Sequence, residues 1–395
     1  MAASIGEVYW FWSRKKSEPP VNGLILPGGG ARNAYQVGVL KAIAEVLPED
    51  ARNPFPVICG TSSGAINAAI LAGHAANFRA GVAYLENIWR NFRVDMVFDA
   101  HTGKALKTGL RWAWSVFTGG RGGEQPHSLL DPAPLRESLD RYVQFERIRQ
   151  ALDDGHLRAL GVTTFGYSTG RSITFYQATP DVQDWARTRR RGIRTEIGFD
   201  HLLASSAIPL VFPAVEIDNE YFGDGSMRET SPLSPAIHLG ANRLLIIGAR
   251  PPRDDPANGA NGAAAYPSVA KITGYVFDTL FLDSLDADLE RMNRINHTIS
   301  QTRSGEAGHS DGRLRPIDFL MVAPSVDLRE YVQRHVGLFP KSVRLLLRGL
   351  GALTREGRPL MSYLLFEGPY CRDLIDLGYA DAMAQRAQLE QLVVV

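Results

Sequence analysis

The chain has 395 residues, a net charge of +1 and a hydrophobic fraction of 45%. That balance excludes wholesale disorder, and no global charge pulls the chain toward nucleic acid or a strongly acidic partner. The two cysteines, Cys59 and Cys371, form neither a disulfide framework nor a zinc-ligand spacing, and they fit a reducing compartment.

No apolar run approaches the roughly 20 residues needed to cross a bilayer. At the N-terminus, Val8-Tyr9-Trp10-Phe11-Trp12 precedes Arg14-Lys15-Lys16. A signal peptide has the reverse order of charge and apolar run. Residues 1–20 are therefore expected to form an arm, mobile or packed on its own domain, with a membrane-interface anchor as the sharper alternative. Gly23 to Leu26 predicts a first buried strand. It leads into Gly28-Gly29-Gly30-Ala31-Arg32-Asn33 and then a helix with apolar positions at Val37, Leu40, Ile43 and Val46.

A Gly-rich loop between strand and helix serves two chemistries. A dinucleotide site needs G-x-G-x-x-G, and here Asn33 stands where the third glycine belongs. An oxyanion hole needs consecutive backbone N–H groups beside a nucleophile. The next segment decides between them. Val57-Ile58-Cys59 predicts a strand, Gly60-Thr61-Ser62-Ser63-Gly64 is a G-x-S-x-G pentapeptide, and Ala65 to Ala75 predicts a helix. Strand, tight turn and helix are the context in which such a serine is pushed out as a nucleophile. Ser62 is thus the candidate nucleophile. Gly28, Gly29, Gly30 and Arg32 are the candidate oxyanion-hole residues, with Arg32 positioning the loop, holding an anionic headgroup or simply solvated.

Further along, a helical pattern runs from Phe78 to Phe98. The segment 104–121 mixes tryptophans and leucines with Lys104, Lys107, Arg111 and Arg121 and has no acid, as an interfacial segment or lid would. Asp131 to Arg149 predicts a helix, and Ala159 to Phe165 with Ser172 to Tyr176 a strand pair. The arginines from Arg187 to Arg194 are expected at a solvated helix end. Ala204-Ser205-Ser206-Ala207-Ile208-Pro209 predicts a helix that stops sharply. Val215 to Phe222 forms a hairpin around Asp218-Asn219 that ends in Gly223-Asp224-Gly225-Ser226. Glycines on both sides of Asp224 suit a backbone pressed around one carboxylate, although Asp-Gly is also an ordinary turn. Strands at Asn242 to Gly248 and Ile317 to Val322 enclose a loop at 250–267, a long helix from Val276 to Ile299 and a polar stretch at 304–313. Helices at 341–350, 362–377 and 381–392 follow. Because strands recur well past Asp224, the pattern predicts one large α/β domain with helical insertions.

Together these segments resemble the patatin-like phospholipases. Gly28-Gly29-Gly30-Ala31-Arg32 matches the family's glycine loop, Gly60-Thr61-Ser62-Ser63-Gly64 its elbow, and Asp224-Gly225-Ser226 its aspartate motif. The Ala204 to Pro213 stretch resembles the loop before the aspartate. Asn33 and Ser226 depart from the family's usual glycine or alanine. The resemblance implies a three-layer α/β/α fold with a mostly parallel central sheet. It also implies a Ser62–Asp224 dyad without histidine that releases fatty acid from lipid acyl esters, of phospholipase A or lysophospholipase type. The expected division is an arm at 1–20, a catalytic domain at 21–330 and a helical extension at 331–395 packed on the same domain. The expected setting is cytoplasmic, with peripheral membrane contact through 104–121 or the N-terminal arm. No metal, cofactor or nucleic-acid partner is expected, and the motifs fix neither headgroup nor oligomeric state. The alternatives are a Ser-Asp-His triad using His238, His297, His309 or His335, a lipid-binding scaffold with a decayed site, and, more distantly, a dinucleotide enzyme.

Overall fold

The computed structural model describes residues 10–12, 20–98, 131–209, 211–251, 269–302, 315–349, 352–353 and 357–393. The first half of the chain builds β1 (Trp10–Phe11), β2 (Asn22–Leu26), α1 (Ala34–Val46), β3 (Val57–Thr61), α2 (Ser63–Ala72), α3 (Phe78–Arg90), α4 (Ala133–Tyr142), α5 (Phe145–Asp153), β4 (Ala159–Gly166), β5 (Arg171–Ala178), β6 (Trp185–Arg187) and β7 (Arg190–Arg194). The second half adds α6 (Phe199–Ser205), β8 (Val215–Ile217), β9 (Glu220–Asp224), α7 (Ser234–His238), β10 (Arg243–Ile247), α8 (Val269–Asp278), α9 (Ser284–Thr302), β11 (Asp318–Val322), α10 (Leu328–His335), α11 (Lys341–Gly349), α12 (Arg358–Leu364), α13 (Gly368–Ala384) and α14 (Arg386–Val393).

The strands form one mixed sheet in the order β1-β11-β10-β2-β3-β4-β5-β7-β6. Its centre, from β11 through β10, β2 and β3 to β4, is parallel throughout. β3, β10 and β11 are buried at every position, as strands covered on both faces must be, so their apolar residues are consecutive rather than alternating. Two apolar clusters divide the core. The larger holds α1, α2, α3 and the C-terminal helices, and the smaller packs β10 and β11 against α9.

Because β2 and β3 are parallel neighbours, with Leu26 opposite Gly60, the loops that follow them emerge at the same edge of the sheet. β4 then brings Asp224 to that edge. One side of β4 is filled along its whole length by β5. The other side is shared: β3 pairs with Ala159 to Thr163, and β9 pairs with Thr164 to Gly166 in the opposite direction. β3 and β9 therefore meet head to head in one lane, with Thr61 opposite Thr163 and Asp224 opposite Thr164.

Several local expectations change. The helix from Phe78 ends at Arg90, where the Asn91 amide folds back onto the Asn87 carbonyl and the chain turns to bury Val94, Val97 and Phe98. The 131–149 pattern splits into α4 and α5 at buried, extended Val143. The arginine-rich stretch is not a helix end. It is the β6–β7 hairpin, turned at Arg189 with φ 63°, and β7 fills the open edge of β5. Pairing with an open strand edge outweighs the helical preference of arginine. Between α8 and α9 the long helix is interrupted by a π turn at Thr279–Asp283. Trp10 and Phe11 form an edge strand on β11, and the Arg243 guanidinium lies over the Trp12 ring, so these three residues pack on their own domain. The 104–121 segment, the 304–313 stretch and most of the 250–267 loop lie outside the described residues.

α1 and α13 cross closely at glycines. A Cβ on Gly38 would sit 1.9 Å from the Ile375 carbonyl oxygen, and one on Gly378 would sit 2.2 Å from that of Tyr35. Gly38→Ala is thus expected to cost about 1–3 kcal/mol through overpacking, read as a lower midpoint of urea unfolding. Gly337→Ala, whose Cβ meets nothing within 4 Å, serves as the neutral comparison.

Candidate active site

The turn after β3 holds Ser62 at φ 55° and ψ −133°, a conformation that L-residues rarely adopt. Close packing enforces it. A Cβ on Gly60 would lie 2.4 Å from the Gly64 carbonyl oxygen, and one on Gly64 would lie 2.0 Å from that of Leu26. Only glycine lets β2, β3 and the start of α2 approach this closely. The Ser62 N–H donates to Ser205 Oγ at 2.9 Å, and the Ser205 hydroxyl in turn donates to the Thr163 carbonyl at 2.7 Å. The stretch before the aspartate thus fastens the elbow to β4. It also fastens Asp224, whose N–H donates to the Ala207 carbonyl at 3.0 Å.

Asp224 is 1% exposed. Its Oδ1 accepts the Ser226 N–H at 2.9 Å, while Oδ2 has no partner of ordinary geometry. Burial pushes the carboxyl up to about 6. The Ser62 hydroxyl is near enough to oppose that rise, though the two groups do not form a hydrogen bond of normal length and angle. A loose contact of this kind is common in sites without substrate. Gly225 explains the fit on this side, since a Cβ there would lie 2.3 Å from the Thr163 carbonyl oxygen and 2.9 Å from the Thr61 methyl.

The glycine loop lies across from this pair. Gly30 has φ 55° and would drive a Cβ to within 2.4 Å of the Tyr363 carbonyl oxygen. Gly28 faces the Ser226 hydroxyl and the Phe281 ring, at 2.7 and 2.8 Å from an added Cβ. Among the described residues, no loop or turn hydrogen bond uses the N–H of Gly28, Gly29 or Gly30.

Arg32 does not join these amides. Its N–H donates to the Gly29 carbonyl and its side chain, 2% exposed, turns away toward the C-terminal helices. The guanidinium reaches Ser362 Oγ (2.8 Å), Tyr363 OH (3.0 Å) and Asp278 Oδ1 (3.2 Å), and stacks 3.8 Å from the Tyr363 ring centroid. Buried, and with Nη2 donating to the Pro359 carbonyl at 3.4 Å, the guanidinium is turned away from the glycine amides. It anchors the loop instead.

Asn33 has unremarkable helical angles, φ −71° and ψ −3°, so tolerance of unusual backbone geometry is not its role. Its side chain, 0% exposed, donates to the Pro27 carbonyl and to Ser63 Oγ at 2.9 and 2.8 Å, and Ser63 Oγ donates to the Gly30 carbonyl. The residue that departs from the family pattern staples the glycine loop to the elbow.

From Ser62 an almost wholly apolar cleft opens, with a cavity volume of about 70 Å³. Ile66, Ile70, Trp89, Phe92, Leu139 and Phe212 form much of its wall. None of the described histidines lines it. His238 is held by the Ser234 carbonyl and stacked on Trp185, and His335 faces Asp373 at 2.8 Å. His309 lies outside the described residues. Sequence reasoning missed Ser205, Thr163 and Glu229, whose roles depend on which strands become neighbours. Only Ser205 lay in a stretch that the motifs had singled out.

Asp224 also sets a dependence of stability on pH. Its folded-state pKa is raised, so between about pH 4 and about pH 6 the folded state binds a proton that the unfolded chain has released, and stability falls as pH rises through that window. Asp224→Asn removes the buried charge. Its melting temperature is expected to match or exceed that of the wild type at neutral pH, with the gap closing toward about pH 4.

A family model described as patatin-like phospholipase matches residues 24–237. A cGAMP-activated phospholipase from Pseudomonas aeruginosa is 28% identical over 220 residues, 56% of each chain. Lysophospholipase nte1 from Aspergillus terreus is 39% identical over 85 residues, covering 19% of this chain and 5% of that one. The chain thus spans little more than half of one curated relative and a small part of the other. Among solved structures, VipD from Legionella pneumophila (14% identity, 94% of this chain and 68% of that one) and human GIVD cytosolic phospholipase A2 (13%, 95% and 60%) both align with a TM-score of 0.36, too distant to carry function. The family model covers more than half of the sequence and takes in both the glycine loop and Asp224: the chain belongs to the patatin-like phospholipase family.

Proposed function

We propose that the protein is a serine acyl-ester hydrolase that releases fatty acids from lipids, of phospholipase A or lysophospholipase type. The observation that carries this reading is the meeting, at one sheet edge, of Ser62 in a strained turn, buried Asp224 and an apolar cleft opening from the serine. The cleft suits a hydrocarbon chain, with the ester carbon left beside Ser62.

In the first step the Ser62 oxygen bonds to the ester carbonyl carbon while Asp224 takes the hydroxyl proton. The Gly28, Gly29 and Gly30 amides stabilise the oxyanion; losing one such donor typically costs ~100-fold or more in rate. Collapse breaks the bond to the alcohol, which leaves with the proton from Asp224. Water then attacks the acyl-serine, gives its proton to Asp224, and the fatty acid departs as Ser62 recovers a proton. A carboxylate of ordinary pKa is a weak base toward an alcohol, and burial strengthens this one.

Ser62→Ala and Asp224→Asn are each expected to abolish hydrolysis of a long-chain ester, while His238→Ala and His335→Ala leave it within about twofold, as positions away from the chemistry should. A fluorophosphonate is expected to label wild-type Ser62. Absence of labelling under every lipid condition would leave the scaffold reading in its place. In the wild type, kcat/KM is expected to rise with pH through an acid limb near 6, because Asp224 acts as a base only when ionised.

Membrane contact belongs to the same proposal. No described helix is long and apolar enough to cross a membrane. Among the described residues, one surface that suits peripheral contact is α11, which carries Lys341, Arg344 and Arg348, no acidic residue, and Leu345 at 58% exposure. Exposed leucine between cations fits an anionic lipid surface. Leu345→Glu is expected to weaken co-sedimentation with phosphatidylglycerol-containing vesicles while sparing turnover of a short soluble ester. Unchanged co-sedimentation would take α11 out of that role.

A further inference from the structure

Behind the elbow lies a second buried carboxyl that the mechanism above does not use. Glu229, 9% exposed, places both of its oxygens against one hydroxyl: Thr61 Oγ1 lies 2.9 Å from Oε1 and 2.8 Å from Oε2. Thr61 is the last residue of β3 and the immediate neighbour of Ser62. A single hydroxyl can donate once and accept in return, and two near-equal distances suit a neutral carboxylic acid that accepts through one oxygen and donates through the other.

The remaining surroundings point the same way. The nearby Thr61 and Thr163 hydroxyls pull Glu229 down and burial outweighs them, while the Thr163 carbonyl holds the Ser205 hydroxyl that receives the Ser62 N–H. The charged or titratable groups that face Glu229 are Asp224 at the end of β9, Asp288 on α9 and the buried Cys59 thiol on β3. None of them is cationic. The cations near Asp288 are Arg190 and Arg291, and Arg291 is bound to Asp288 and Ser231. A site with two carboxyls in mutual range and no counter-charge favours keeping one of them protonated.

We propose that Glu229 is a positioning residue for the reaction: as a neutral acid it clamps Thr61, and through Thr61 and Thr163 it holds Ser62 and Asp224 in register. The proposal rests on the hydrolase reading. Ionisation removes the donated half of the clamp and adds a negative charge beside Asp224, where it opposes the oxyanion of the intermediate. Burial and the neighbouring Asp224 charge push Glu229 up to about 7, above Asp224, so over a window near neutrality Asp224 is ionised while Glu229 still holds its proton.

The experiment is the pH profile of kcat and kcat/KM on a soluble ester from about pH 5 to about pH 9, with fluorophosphonate labelling of Ser62 measured in parallel. The wild type is expected to be bell-shaped, with an alkaline limb in kcat that approaches about tenfold loss per pH unit. Glu229→Gln keeps one donor and one acceptor for Thr61 and cannot ionise. It is expected to stay within about threefold of the wild type near pH 6.5 and to lose the alkaline limb. Thr61→Val is expected to lower kcat at every pH with little change in KM, and to flatten the same limb. A wild-type profile that stays level above its acid limb overturns the inference, as does an unchanged alkaline limb in Glu229→Gln. The wild-type profile decides even if neither variant folds. If Ser62 is labelled and the alkaline limb is missing, only this inference fails. If Ser62 is never labelled, the hydrolase reading fails and this inference falls with it.

Discussion

The arrangement depends on how β4 shares one of its edges. A strand edge has a fixed number of backbone donors and acceptors, and leaving them unpaired in the interior is costly. β3 satisfies Ala159 to Thr163 and then stops. β9 arrives from the other direction and satisfies Thr164 to Gly166. Since consecutive Cα atoms are about 3.8 Å apart, the ends of these two strands are forced together. Proximity of hydroxyl and carboxyl is therefore a by-product of backbone pairing, and side-chain bonds such as Ser205 to Ser62 only refine it.

Residues with a local signature could be read from the sequence. Gly60 and Gly64 flank a serine between strand and helix, and each proves to be a point where two backbones touch. The parallel core was equally legible, because β3, β10 and β11 each carry a run of three or four apolar residues. The failures share a cause. Arg187 to Arg194 looked like a solvated helix end because nothing local announces that β5 has an open edge. For Arg32 the choice between loop anchor and anion binder stayed open because its partners, Asp278, Ser362 and Tyr363, lie more than 240 positions away. Glu229 carried no signal at all: a single glutamate after an Asp-Gly turn becomes unusual only once Thr61 is placed against it.

Asn33 shows how a deviation from a pattern can be read two ways. By propensity it is a substitute for glycine, tolerated for its backbone freedom. In the fold its backbone is ordinary and its amide is the useful part, joining Pro27 and Ser63 across the two loops. The fixed glycine loop, the strained serine and the two buried carboxyls are each unfavourable in isolation. They persist because the surrounding helices over-determine them.

The bracing of Gly30 and Arg32 by Tyr363 and Ser362 has a consequence for biosynthesis. On the ribosome, β2, β3 and their loops emerge before the residues that roof the glycine loop, Ser362 and Tyr363 on α12. Until α12 docks, the loop has neither its stacking partner nor the carbonyl that presses against Gly30. A chain made only as far as β4 therefore carries an unfinished centre, which α12 completes when it docks.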